Sequence, residues 1–195
     1  MYQALLADAR FHRLLLVCDH DLAAAVRAKR CAVCRGRLDA SSYDRKPRGR
    51  LIAGEGADDR RFSLCCAVDG CRKRITPPSV RFLGRKVYLG AVVVLVSAME
   101  HGLTETRLRR LRDVVGVSRR TVARWRDWWL DAFTANPFWK VAAAAFMPPA
   151  EASRLPASLL DRFAESAGEP RLVGCLRFLA PITGGAGLAM TMHAF

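Results

Sequence analysis

Acidic residues are scarce in this chain of 195: 18 Asp and Glu stand against 32 Lys and Arg, for a net charge of +14. The sequence pI is near 10.4, and Arg supplies nearly all of the excess. A planar, permanently charged fork suits phosphate and guanine edges, so the deficit of acid favours a nucleic acid over an acidic protein as partner. Long hydrophobic runs are also missing. The longest, Val87 to Met99, is 13 residues, against the ~20 needed to cross a bilayer. The first twenty residues lack the basic start, apolar centre and small-residue cleavage site of a secretory signal. These absences predict a soluble, cytoplasmic protein with no membrane partner. Histidine is down to four copies, of which only His20 stands as a reserve metal ligand; the others are scattered without a pattern.

Hydrophobic residues make up 51% of the chain and charged ones 26%, which excludes a chain disordered by composition. Internal repeats and low-complexity stretches are absent apart from an alanine run. The pattern divides into four parts. Residues 1–30 read as helix, with Asp19 or Asp21 placed to cap a second helix. Residues 31–84 turn to Gly, Arg, Asp and Ser with short strands such as "RRFSLCC", too poor in large apolar side chains to build a core unaided. Residues 85–147 read as a helix-turn-helix part, helical from Arg85 to about Phe133 in three segments: "KVYLGAVVVLVSAMEHG", "TETRLRRLRDVVG" and "SRRTVARWRDWWLDAF". Thr104 and Ser118 stand as N-caps, and Gly102 and Gly116 as stops. Residues 148–195 read as further helix and tail, whose apolar faces "ASLLDRF" and "RLVGCLRFL" have little in sequence to cover them. They suggest a homodimer contact or a dock for a catalytic partner subunit. The fold class expected is mainly α with a small β zinc ribbon, an α+β arrangement.

Five of the seven cysteines fall into two groups, 31/34 and 65/66/71. In a reducing compartment clustered thiols indicate metal or catalysis rather than disulfides. Cys31 and Cys34 form one Cys-x-x-Cys turn. The second turn is Cys66 with Cys71, or Cys65 with Cys71. In an extended "RFSLCC", Phe62, Leu64 and Cys66 share a face while Cys65 points away with Ser63, which favours Cys66; a slip of one residue would exchange them. Two paired turns supply the four ligands of tetrahedral Zn2+. A thioredoxin-like site would need a βαβ pattern that is absent, and four thiolates leave no open position for a substrate, so the expected site is structural. Arg30, Arg35, Arg37, Arg72, Lys73 and Arg74 crowd both turns and offset the net −2 of a zinc tetrathiolate. Cys18 and Cys175 read as packing residues.

The stretch from Leu103 to Trp129 has the layout of a helix-turn-helix: one helix over 104–114, a turn at Gly116-Val117 and a second helix from Ser118. Leu108, Leu111, Val115, Val117, Val122 and Trp125 would face inward. That leaves Arg119, Arg120, Arg124 and Arg126 on the start and outer face of the second helix, where a recognition helix presents its base-reading and phosphate-binding groups to duplex DNA.

A Cys-x-x-Cys turn, an Arg-rich strand entering a second cysteine group, "RKRITPPSVRFLGRKVYLGAVVVL" and a helix-turn-helix ending "VSRRTVARW" resemble the N-terminal DNA-binding part of insertion-sequence transposases that begin with a zinc ribbon. The resemblance covers roughly residues 30–133. It implies Cys31, Cys34, Cys66 and Cys71 as zinc ligands and Arg119, Arg120, Thr121 and Arg124 on the recognition helix. Such transposases continue into a ribonuclease-H-like domain with three metal-binding carboxylates. About sixty residues follow Phe133 here, and their acids lack alternating strands, so the expectation is a non-enzymatic DNA-binding or regulatory protein of a mobile element. A metal-dependent nuclease would have to draw on Asp58, Asp59, Asp127 and Asp131, which read more simply as a solvated loop and helix-surface charges. An RNA-binding ribbon would want exposed stacking aromatics, and residues 31–84 hold few beyond Tyr43 and Phe62.

Overall fold

The computed structural model describes residues 2–44, 60–83, 88–98, 106, 109, 113, 115–163 and 169–184. The described chain is mostly helical with a small antiparallel sheet. Helix α1 spans Tyr2–Ala7 and α2 spans Ala9–Ala28. The α2 N-cap is Asp8, whose carboxylate accepts the Arg10 N–H at 2.8 Å. Neither Asp19 nor Asp21 caps a helix, because α2 runs through both. Asp19 is fully buried, and its carboxylate is drawn into a contact described below. Phe11, Leu15 and Cys18 form the buried stripe of α2 at the spacing of an amphipathic helix.

Three short strands, β1 (Leu38–Ala40), β4 (Leu64–Cys66) and β5 (Arg74–Ile75), make an antiparallel sheet in the order β1-β4-β5. The register pairs Leu38 with Cys66 and Leu64 with Ile75. Beside it, β2 (Tyr43–Asp44) pairs with β3 (Arg60–Arg61). Cys31, Leu38, Leu64, Cys66 and Ile75 close a small core of their own, with Val26 of α2 and Cys71 packed against it.

A second hairpin, β6 (Phe82–Leu83) with β7 (Tyr88–Leu89), leads into α3, Gly90–Ser97. The helix expected from residue 86 therefore starts later. Tyr88 and Leu89 fall near the start of the apolar run, and pairing with Phe82 and Leu83 gives their backbone groups partners outside the helix. Every residue of α3 is buried, as an apolar helix without a polar face requires.

Most of the helix expected over 104–114, with Thr104, Gly102, Leu108 and Leu111, lies outside the described residues. Its described positions, Thr106, Arg109 and Asp113, are helical, and so is Val115 just beyond. Gly116 (φ 66°) turns the chain, and the Ser118 hydroxyl accepts the Thr121 N–H to cap α4, Arg119–Asp127. The helix then widens into a π-helical turn over Trp128–Phe133. Trp128, Trp129 and Phe133 are all buried there, with ring centroids 4.8 to 5.4 Å apart. An α-helical winding would carry one of three such near neighbours out of the core; the wider turn keeps them together.

Asn136 caps α5 (Pro137–Ala142), α6 covers Ala157–Asp161, and α7 covers Glu169–Leu179. The apolar faces of α6 and α7 are not left open: Leu159, Leu160, Leu172, Leu176 and Leu179 join the same core as α2, α3 and α4. Leu176 lies against Gly90 of α3. The described residues of α6 and α7 thus contribute to the body of the molecule.

Candidate metal centre and basic helix

Cys31, Cys34, Cys66 and Cys71 converge, with all four sulfurs within 4.8 Å of one another. Cys31 Sγ lies 3.8 Å from Cys71 Sγ, and Cys34 Sγ lies 3.4 Å from Cys66 Sγ. A zinc tetrathiolate with ~2.3 Å bonds has sulfur-to-sulfur edges of about 3.8 Å, so the donor set fits a tetrahedral ion. All seven cysteines are free thiols. Among the described residues no other group of three or more His, Cys, Asp or Glu gathers in this way.

Backbone N–H groups point at the sulfurs from both turns. Donation from Cys34 and Val33 holds the Cys31 thiol down at about 7. The Val68 N–H lowers Cys66 in the same sense, but burial and the thiols of Cys34, Cys71 and Cys31 outweigh it and push Cys66 up to about 12. Cys71 accepts from the Lys73 N–H, yet hydrogen bonding with Cys34 and burial leave its thiol raised. One thiolate forms readily and opposes the next. A divalent cation removes that opposition, because it favours all four thiolates at once.

The two turns repeat each other. Cys31-Ala32-Val33-Cys34 and Cys66-Ala67-Val68-Asp69-Gly70-Cys71 both begin Cys-Ala-Val, and in each the Val N–H is directed at the first sulfur. This short repeat is a sequence signal for Cys66 over Cys65 that face alternation alone did not use. Cys65 points away from the cluster and donates to the Arg72 carbonyl at 3.5 Å. Phe62 lies outside strand β4 and packs instead on His20 of α2, with ring centroids 4.5 Å apart. Gly36 closes the site. A Cβ there would lie 2.4 Å from Val68 Cγ2, 3.2 Å from Cys66 Sγ and 3.3 Å from Cys34 Sγ.

Val115, Val117, Val122 and Trp125 are buried as the helix pattern requires. Arg119 and Arg120 are exposed at the start of α4, and Thr121 and Arg124 are half-buried beside them. Arg124 Nη2 donates to Thr121 Oγ1 at 3.5 Å, and Thr121 Oγ1 lies 3.1 Å from the Ser118 hydroxyl. The four residues share the first two turns of one helix, with the apolar side sealed into the core. Of the carboxylates considered for nuclease chemistry, Asp127 and Asp131 are exposed near the end of α4, and Asp58 and Asp59 lie outside the described residues.

A buried ionic contact that sequence reasoning missed joins the two parts. Asp19 of α2 accepts from Arg81 Nε at 2.8 Å, from the Ser79 hydroxyl at 2.6 Å and from the Val80 N–H at 2.7 Å. Arg81 also donates to the Arg60 carbonyl and stacks on Phe62 and Phe82. The Ser79 N–H in turn donates to Thr183 Oγ1 at 2.7 Å. The linker 76–81 is therefore a seam sealed from both sides. Only its partners, sixty and a hundred residues distant, reveal this. Among the described residues no helix is long and apolar enough to cross a membrane. Comparison with protein-family models, with curated proteins and with solved structures finds no match.

Proposed function

We propose that this protein is a zinc-containing duplex-DNA-binding protein, of the transposase-like DNA-binding or regulatory kind, in which a structural zinc ribbon supports an Arg-rich helix-turn-helix. The observation that carries the reading is the pairing of two features in one chain: a four-sulfur cluster with no place for a substrate, and a capped helix whose polar edge begins Arg119-Arg120. In this reading Cys31, Cys34, Cys66 and Cys71 hold Zn2+, and the ion's role is to fix the small sheet, since a tetrathiolate keeps no exchangeable position. Arg119, Arg120, Thr121 and Arg124 face the major groove, and the +14 charge supplies the long-range attraction. Six to eight phosphate contacts would give a log-log salt slope of about −5 to −7.

The test is selection of bound fragments from random duplex DNA with zinc-loaded protein at two salt concentrations. A common motif that persists at the higher salt is expected. Recovery of fragments with no motif, and of nothing at higher salt, would reduce the protein to a polycation and overturn the reading. Arg119→Ala is expected to cost ~1–3 kcal/mol with relaxed preference at one base position, measured by titration against motif variants.

A further inference from the structure

Three described residues other than glycine have positive φ: Arg30 at 60°, Arg35 at 60° and Arg72 at 40°. All three are arginine, and each adjoins a cysteine of the cluster: Arg30 precedes Cys31, Arg35 follows Cys34, and Arg72 follows Cys71. The left-handed region is disfavoured for residues with a Cβ, and glycine is the ordinary occupant. This chain uses glycine for that purpose elsewhere, at Gly70 and Gly116. Arg30 even stands one residue past the Lys29 C-cap of α2, with its N–H on the Arg27 carbonyl, a position where glycine is the usual choice. Arg35 is followed directly by Gly36, whose small size serves the close approach of Val68 rather than a turn.

Strain held at three places beside the cluster, two of them equivalent (Arg35 and Arg72, each just after the second cysteine of its turn), by one residue type, calls for a gain that glycine could not give. The backbone at these places does not need the side chain, so the gain must come from the guanidinium. All three side chains are exposed, on the same knuckles as exposed Lys73 and Arg74. Each knuckle also carries an apolar tip, Val33 at 71% and Val68 at 43% exposure, so the arginines are not there to cover it.

We infer that the rim of the cysteine cluster is a second polyanion-binding surface, in which Arg30, Arg35 and Arg72 grip the phosphate backbone of duplex DNA. The inference rests on the DNA-binding reading above and adds a division of labour to it: α4 reads bases, and the knuckles hold phosphates. Guanidinium groups pair with phosphate oxygens in a bidentate way, and these three are exposed beside the four-sulfur cluster.

The test uses the full zinc-loaded chain and a 30-bp duplex carrying a fragment recovered by selection. In the triple variant Arg30→Gly, Arg35→Gly, Arg72→Gly, the melting temperature and the metal content of one ion per chain are expected to hold or rise, because the strain is relieved. DNA affinity at 0.1 M salt is expected to fall by roughly 100-fold or more, with the log-log salt slope shallower by about three and base preference unchanged. A control removing Arg10, Arg13 and Lys140, exposed on α2 and α5, is expected to lose much less. Unchanged affinity and slope in the triple variant, or an equal loss in the control, would overturn the inference while leaving the reading by α4 standing. A parent protein that recovers no duplex motif at all would instead overturn the reading itself. A variant that loses its metal would show that the three arginines serve the loop's folding, and would equally overturn the assignment.

Discussion

The sheet around the four cysteines and the helical body are held together by different means. In the body, the core draws on α2, α3, α4, α6 and α7 and includes Trp125, Trp128, Trp129 and Phe133, all nearly or fully inaccessible. Burial of that size is ample to offset the ordering of the chain. In the cysteine region the core is Cys31, Leu38, Leu64, Cys66 and Ile75. Two of those five are themselves thiols of the cluster, which leaves three hydrocarbon side chains to order two turns and three strands. A core so small needs a staple, and four converging sulfurs are one. One chain thus contains a part that folds by hydrophobic burial and a part whose four converging sulfurs could hold it by coordination.

The sharpest way to break this comparison is to remove the metal. Chelation, or Cys66→Ser, is expected to forfeit binding on the order of 10 kcal/mol. Amide protection across residues 31–44 and 60–75 should collapse while protection in α3, α4 and α7 persists, as read by hydrogen exchange. Uniform protection without metal would show that the two regions are not different in kind.

Next in size is the seam between them. Asp19→Ala would leave Arg81 buried without its carboxylate, at a cost of about 3–5 kcal/mol. Both regions should lose stability together in thermal denaturation, where loss from one alone would mean that the contact belongs to that region. A smaller change, Gly36→Ala, drives a methyl into Val68 and towards two sulfurs. It is expected to cost about 1–3 kcal/mol, confined to the cysteine region and visible as weaker metal retention in a chelator competition. The smallest is Cys65→Ser, whose half-buried thiol faces away from the cluster. A change under about 0.5 kcal/mol is expected, with metal content unaltered. Loss of metal from this variant would mean that Cys65 and not Cys66 is the ligand.

Much of this was legible in residue order where the deciding physics is local. Ser118 caps its helix because a hydroxyl three residues before Thr121 can reach that N–H, and Val122 and Trp125 face inward at helical spacing. The cysteine turns announce themselves by spacing. What stayed hidden depends on partners distant in sequence. Asp19 looks like a helix cap until Arg81 is seen against it. Tyr88 and Leu89 look helical until Phe82 and Leu83 supply a strand to pair with. The faces of α6 and α7 look uncovered because their cover comes from α3 and its neighbours. The π-helical turn has no signal in sequence except three large aromatics too close together for ordinary winding.

Helix α2 contributes Phe11 and Leu15 to one core at its start and Val26 to the other near its end, where Arg27 Nε also holds the Leu38 carbonyl at 3.0 Å. The cysteine loops are therefore not a cassette that begins at Cys31. A graft of residues 31–84 into another scaffold would arrive without its supporting strut, whereas one begun upstream of Asp19 would carry both the strut and the carboxylate that anchors the outgoing chain.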